Sequence, residues 1–354
     1  MLFVAAMAYK QQPRFSGFTI VELLIVIVVI GILAAITIVA YNGVQQRAVA
    51  ASLTSDLDNA AKLLKLDQVI NSAYPTTLAL ANSGKGVPAS SGTTYQYTVT
   101  NSASPQTFCI TATKGTTSYK ITNDSTPSVG VCLEYGLVTS LDAATPASYS
   151  GAGTTWTDLS SNGSNGTLVN GVGYSSANSG ALTFNGTNQY ISTSSAPSPT
   201  SAGSLSAWVY VNSLGGAYSS IIFKGPGVSW NDIDYGLLRN GSSNTFLGTL
   251  NNGTNNLAGA GPNSSVITAG QWYNLVFTWD STVTKFYTNN IQTGSVNYSN
   301  GAGARSTNMN VGSAVGGANY FFNGSIPNVR IYNRALSADE VSQNFNALRG
   351  RYGI

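Results

Sequence analysis

Glu22 stands inside FTIVELLIVIVVIGILAAITIVAY, the run from Phe18 to Tyr41, where the other strongly polar side chains are Thr19 and Thr37. A carboxylate within a membrane helix costs about 2.5–3.5 kcal/mol, and residues kept at that cost usually serve a function. The run exceeds the roughly 20 apolar residues that a bilayer-spanning helix needs. Lys10 and Arg14 precede it, and no acidic residue lies upstream of Glu22. Positive charge ahead of the span keeps that flank in the cytoplasm and exports everything after Tyr41. A secretory signal carries its small-residue cleavage site after the apolar region. Here the notable junction, Gly17-Phe18, comes before it. Glycine offers a peptidase extended backbone with no side chain in the way. The alternative is a plain anchor whose Glu22 snorkels to the interface.

Few other residues could do chemistry. Charged residues make up 8% of the 354-residue chain, there is no His, and the only Glu are Glu22, Glu134 and Glu340. Chemistry that needs imidazole, as base or metal ligand, is closed to it. Cys109 and Cys132 fit one disulfide in an oxidising compartment or two buried thiols, and are too few for a zinc site. A scattered net charge of +3 does not mark a nucleic-acid surface. Asp232 and Asp234, two apart, could share one strand face; they are the candidate calcium ligands, with a solvated loop as the alternative. Trp230 and Tyr235 beside them are candidates for stacking on a sugar, whereas Trp208, Trp272 and Trp279 lie in strong strand runs and read as core. Asn-Gly-Ser/Thr recurs at Asn162, Asn185, Asn240, Asn252 and Asn323, and is read as the favoured hairpin turn rather than as sugar-acceptor sites.

The elements that must position these residues are legible in the pattern. Val49, Leu53, Leu57, Ala60 and Leu64 recur on one helical face, so the helix continues past Tyr41 as an amphipathic arm. Pro75 falls in the loop that ends it. Three alternating runs follow, TYQYTVT, TFCITAT and TSYKIT, separated by turn signals. From about Tyr135 the texture changes to many short strands punctuated by Ser, Gly, Thr and Asn, which predicts an all-β sandwich of two sheets. Ser337 and Glu340 make a capping box for a short last helix through Leu348.

Gly17-Phe18-Thr19-Ile20-Val21-Glu22 and the apolar run after it resemble the type IV prepilin processing motif, over about Lys10 to Tyr41. The resemblance implies a prepilin peptidase that cuts after Gly17 and methylates Phe18. It also implies that Glu22 pairs with the amino terminus of a neighbouring subunit's Phe18 during filament assembly. Val39 stands where many pilins carry Pro, and the apolar start Met1-Leu2-Phe3 is unusual for a leader, with Met7 as the alternative start. One long helix on a small antiparallel sheet is the α+β pilin fold. Leu205-Ser206-Ala207-Trp208-Val209, Gln271-Trp272-Tyr273-Asn274-Leu275 and the closing run Phe322–Ser337 resemble laminin-G-like (concanavalin A-like) jelly rolls. The division expected is a leader at 1–17, a transmembrane assembly helix at 18–41, a pilin module at 42–134 and the jelly roll at 135–354. Glucanases of this fold use Glu-x-Asp-x-Glu on one strand, and the pattern is missing here, so no enzyme is expected. The resemblance points to a minor or specialised pilin that displays a lectin-like domain, for adhesion to a glycan or other surface ligand. A pseudopilin of a secretion or DNA-uptake machine, or a surface lectin that is anchored but never polymerises, are the other readings. Before assembly the chain belongs to the inner membrane, and afterwards to the cell exterior.

Overall fold

The computed structural model describes residues 20–354, except 102–104, 116, 131, 133, 161, 194–195, 215–217, 228, 240, 242, 254–256, 258–260, 315–316 and 318; of residues 22, 26, 35, 38–40, 42, 100 and 230 it describes the backbone alone. The leader, Gly17 and Phe18 therefore lie outside the described residues, as does the side chain of Glu22.

Helix α1, Ile20–Asn71, is continuous through Gly31 and Val39. A β-branched Val keeps the N–H that Pro would remove, so nothing here breaks the ladder. Its two halves meet different surroundings. Between Ile20 and Ile36, twelve large apolar side chains are 47–84% exposed. Among the described residues no helix is long and apolar enough to cross a membrane. Of the run expected to span at 18–41, residues 18 and 19 and the side chains of Glu22, Val26, Ala35 and 38–40 lie outside the described residues.

The second half is amphipathic. Leu53, Leu57, Ala60 and Leu64 are fully buried, on the face that the spacing of four, three and four predicts. They pack against Phe108, Ile110, Ala112 and Ile121 of a four-stranded antiparallel sheet. Its strands are β1 (Thr94–Thr100), β2 (Thr107–Lys114), β3 (Thr117–Thr122) and β4 (Ser128–Val129). Two acids on α1 fasten the intervening segment, which holds the four-residue helix α2 (Ala81–Gly84). Asp56 accepts from the Ser90 hydroxyl at 2.8 Å, and Asp67 accepts from the Asn82 amide at 2.7 Å. Alternation along β2 turns Phe108, Ile110 and Ala112 toward α1 and leaves Cys109 and Thr111 on the other face. There Cys109 forms a disulfide with Cys132, whose amide donates to the Thr111 hydroxyl at 2.8 Å.

The sandwich begins with the strand Leu137–Asp142 and consists of two antiparallel sheets. In the larger one, Trp272–Trp279, Gly203–Val211 and Asn323–Tyr332 lie side by side at the centre. Period-two alternation sends Leu205, Ala207, Val209, Tyr273, Leu275, Phe277 and Trp279 into the core between the sheets. The Asn323–Tyr332 strand carries one extra residue opposite Val209, since Trp208 pairs Asn328 and Tyr210 pairs Ser325. Pro327 occupies this bulge, where a missing N–H costs no ladder bond. The facing sheet includes Ser219–Lys224, Tyr235–Arg239 and Phe246–Leu250.

The last helix, α3 (Ala338–Tyr352), lies on the outer face of the larger sheet. Its capping box is present, with both Ser337 and Glu340 bonds made. It runs one turn beyond Leu348 and ends on Gly353 at φ 71°, the left-handed cap that glycine favours. Trp208 is stacked under Phe345 and Tyr352, with ring centroids 5.5 and 4.3 Å away.

Replacing both cysteines (Cys109→Ser with Cys132→Ser) frees a loop of sequence separation 23, at an expected cost of about 3 kcal/mol to the helix–sheet module. Amide exchange along β2 should then quicken by about 100-fold. All five Trp lie in the sandwich, so the tryptophan-monitored urea midpoint should stay where it is.

Candidate functional site

The expected calcium and sugar residues fall at the start of the strand Tyr235–Arg239. Asp232 ends a short 3-10 turn, Trp230–Asp232, and lies against Gly227. Asp234 is fully buried and already saturated. Its Oδ2 accepts from Lys224 Nζ at 2.9 Å and from the Arg305 amide at 3.1 Å, and its Oδ1 accepts from Arg305 Nη1 at 2.8 Å. Lys224 Nζ, itself buried, also donates to Arg305 O at 2.6 Å. A calcium ion at Asp234 would have to displace an ammonium and stand beside a guanidinium, so this geometry corrects the expectation of paired aspartate ligands. Sequence reading missed Lys224 and Arg305. Lys224 ends an apolar strand, which is a local signal, but Arg305 is 71 residues from its partner.

Tyr235 is a core residue, which corrects its reading as a sugar platform. It is fully buried, stacks on Trp279 at 6.3 Å and donates its hydroxyl to Pro197 O at 2.9 Å. Burial and then Asp234 push its phenol well above the usual tyrosine range. The reason is parity: Tyr235 and Leu237 share the inward face of their strand. The side chain of Trp230 lies outside the described residues.

Other carboxylates of the sandwich are tied to structural work. Asp158 receives the amides of Ser140, Ser160 and Ser164 at 2.7–2.9 Å. Asp142 pairs with Arg351 at 3.1 Å, and Glu340 with Arg334 at 2.7 Å. The Thr282 hydroxyl holds the Asp280 carboxyl below the usual carboxylate range, aided by the backbone of Val283 and Thr282.

A different feature opens on the outer face of the larger sheet. The cross-strand register sets Trp272 opposite Tyr210, Tyr210 opposite Ser325, Ser325 opposite Thr183, and Thr183 opposite Gly173. Trp208 and Trp279 are buried as expected, but Trp272 is only partly so. Its ring meets Tyr210 at 5.2 Å and 56°, and Tyr352 of α3 at 4.6 Å. The two outward rings border a depression of about 280 Å³, with Ser175, Asn178, Asn212 and Ser325 around it and no charged residue in its lining. The alternation in GSLSAWVYV was the signal that places Tyr210 and Trp208 on one face; what covers each of them was not local.

Residues 12–38 match the prokaryotic N-terminal methylation motif, and residues 185–342 match the concanavalin A-like lectin/glucanases superfamily. Over 70 residues the chain is 41% identical to the type II secretion system core protein G of Aeromonas hydrophila, covering 19% of this chain and 47% of that protein. The chain thus spans about half the length of the curated relative it matches. Among solved structures, domain 4 of an extracellular arabinanase from Geobacillus stearothermophilus is similar, at 18% identity over 58% of this chain and 97% of that one, with a TM-score of 0.46. The binding domain of botulinum neurotoxin DC is also similar, at 12% identity over 61% and 52%, with a TM-score of 0.45. At these identities the likeness is one of fold alone. This chain joins a pilin-type N-terminal methylation segment to a concanavalin A-like sandwich.

Asp234→Ala leaves the Lys224 ammonium buried without its carboxylate and should destabilise the sandwich by about 3–5 kcal/mol in tryptophan-monitored denaturation. Millimolar calcium should leave the wild-type melting temperature unchanged. A calcium-dependent rise that Asp234→Ala abolishes would show that the carboxylate serves as a ligand after all.

Proposed function

We propose that this chain is a pilin-like subunit, cut between Gly17 and Phe18 and assembled through α1, that presents a non-catalytic lectin-like sandwich for adhesion or surface contact. The observation that carries this reading is the exposed apolar first half of α1. Twelve large side chains there are 47–84% exposed, far more contiguous apolar surface than a soluble monomer leaves open. Lipid before assembly and sister helices afterwards are the surroundings that such a surface fits. Within that bundle Glu22 meets the freed amino terminus of a neighbour's Phe18, and a low dielectric makes the pair strong enough to choose an axial register. The absence of imidazole and the structural employment of Asp142, Asp158, Asp234 and Glu340 support a binding rather than a catalytic head.

A pseudopilin is the second reading, favoured by the 41% identity over 70 residues to a secretion-system core protein. In that case the same helix builds a short envelope-spanning assembly, and the wild-type protein is missing from sheared surface filaments.

In the native cell, Glu22→Ala should still insert in the membrane but fall about tenfold or more in the filament fraction, a loss of about 1.4 kcal/mol or more from subunit pairing. Undiminished incorporation would defeat the assembly reading and leave a membrane-tethered lectin. Intact mass of the mature protein should begin at N-methylated Phe18; a chain that retains its first 17 residues would count against processing.

A further inference from the structure

We infer that the depression beside Trp272 and Tyr210 is a binding site for neutral oligosaccharide. The inference rests on the lectin-like reading of the head and adds to it a place and a ligand class. Period-two alternation and register bring the two rings side by side on the outer face of the sheet, 5.2 Å apart and inclined at 56°. Two rings at such an angle form a corner that takes the apolar C–H face of a pyranose on one wall and its edge on the other. The hydroxyl and amide side chains around them supply what a sugar's hydroxyls need, donors and acceptors in small number and no net charge. At about 280 Å³ the depression falls just below the 300–1,000 Å³ of sites for drug-sized ligands, which suits a sugar unit or two of a longer chain.

Two further observations mark the site as built. Asn178, in its lining, is left-handed at φ 53°, as is the next residue along the chain, Ser179, at 69°. A non-glycine pair in this conformation has to be held by its surroundings. Here the enforcement is a hydrogen bond of 3.0 Å from Asn178 Nδ2 to Arg351 O of α3, which leaves the carbonyl end of the amide as an acceptor. The guanidinium of that same Arg351 is occupied: its Nη1 turns to Asp142 at 3.1 Å. The neutrality of the lining sets the ligand class. A sialylated or uronic glycan would find no cation in the lining, and a single-stranded nucleic acid, which stacks on aromatics equally well, would find no groove of Lys and Arg for its phosphates.

The test uses the full-length protein in a detergent without a sugar headgroup. Glucose, galactose and mannose oligosaccharides are titrated against it by tryptophan fluorescence and isothermal calorimetry, with sialyllactose, oligogalacturonate and a single-stranded oligonucleotide as charged probes. At least one neutral series should bind. Trp272→Ala should weaken it by about tenfold or more, and Trp272→Phe, which keeps a ring, should recover part of the loss. Because Trp272 also touches Tyr352, a second variant, Ser325→Gln, fills the floor of the depression from a partly exposed position and should weaken binding with the denaturation midpoint unchanged. Neutral-sugar binding that survives both Trp272→Ala and Ser325→Gln overturns this site and leaves the lectin reading standing. Binding of charged glycans or oligonucleotide alone overturns it too. If none of the glycans binds, the lectin reading falls with the site.

Discussion

The first half of α1 has an apolar surface that nothing among the described residues covers, and the rest of the architecture is arranged around that fact. A helix of 52 residues is about 80 Å long, so one rigid element can keep its beginning in lipid or in a bundle of sister helices while its end serves as the core of a soluble module. The division is made by side chains alone. Up to Ile36 the helix is apolar all round, and from Leu53 onward only one face is, which is the stretch the small sheet covers. Asp56 and Asp67, the disulfide and the packing of Phe108 and Ile110 all fasten that sheet to the helix, so that force or position imposed on the first half reaches the module without a hinge in α1.

The sandwich follows another rule. With so few charges in the chain, its two sheets are ordered chiefly by the alternation of inward and outward side chains, and the few charges present are spent on closure. Lys224, Asp234 and Arg305 show this most clearly, because two cations and one carboxylate hold a strand end, the 3-10 turn before it and a distant loop together. The bulge at Ile326-Pro327 lets Ile326, Val329 and Ile331 all face the core although they do not share one parity. On the outer side the same strands offer Trp208, Tyr210 and Trp272, and α3 covers the first while leaving the other two at its margin. The site beside Trp272 is thus a product of where a terminal helix stops.

Much of this was legible beforehand and some was not. The buried face of α1, the strands of both units and the capping box at Ser337 rest on interactions within about four residues or on strict alternation, and those are written in the chain; the pairing of the two cysteines, 23 residues apart, was legible as one option because the chain has just two. The placing of Asp232, Asp234 and Tyr235 was not. Their spacing fitted shared ligands and an exposed ring, but Tyr235 turns inward to Trp279, and Asp234 is met by an arginine from a loop 71 positions away.

By itself, then, the amino-acid order determined the apolar run from Phe18 to Tyr41 with its acid at Glu22, the methylation motif around Gly17-Phe18, the change at about Tyr135 to a strand-rich sandwich, and the near absence of reactive side chains. Those properties depend on composition and on neighbours along the chain. Tertiary structure alone decided which tryptophan stays at the surface and which acid is silenced by a cation. Burial and pairing are set by what packs on an element from elsewhere in the fold, and the spacing of residues within one strand does not contain that information.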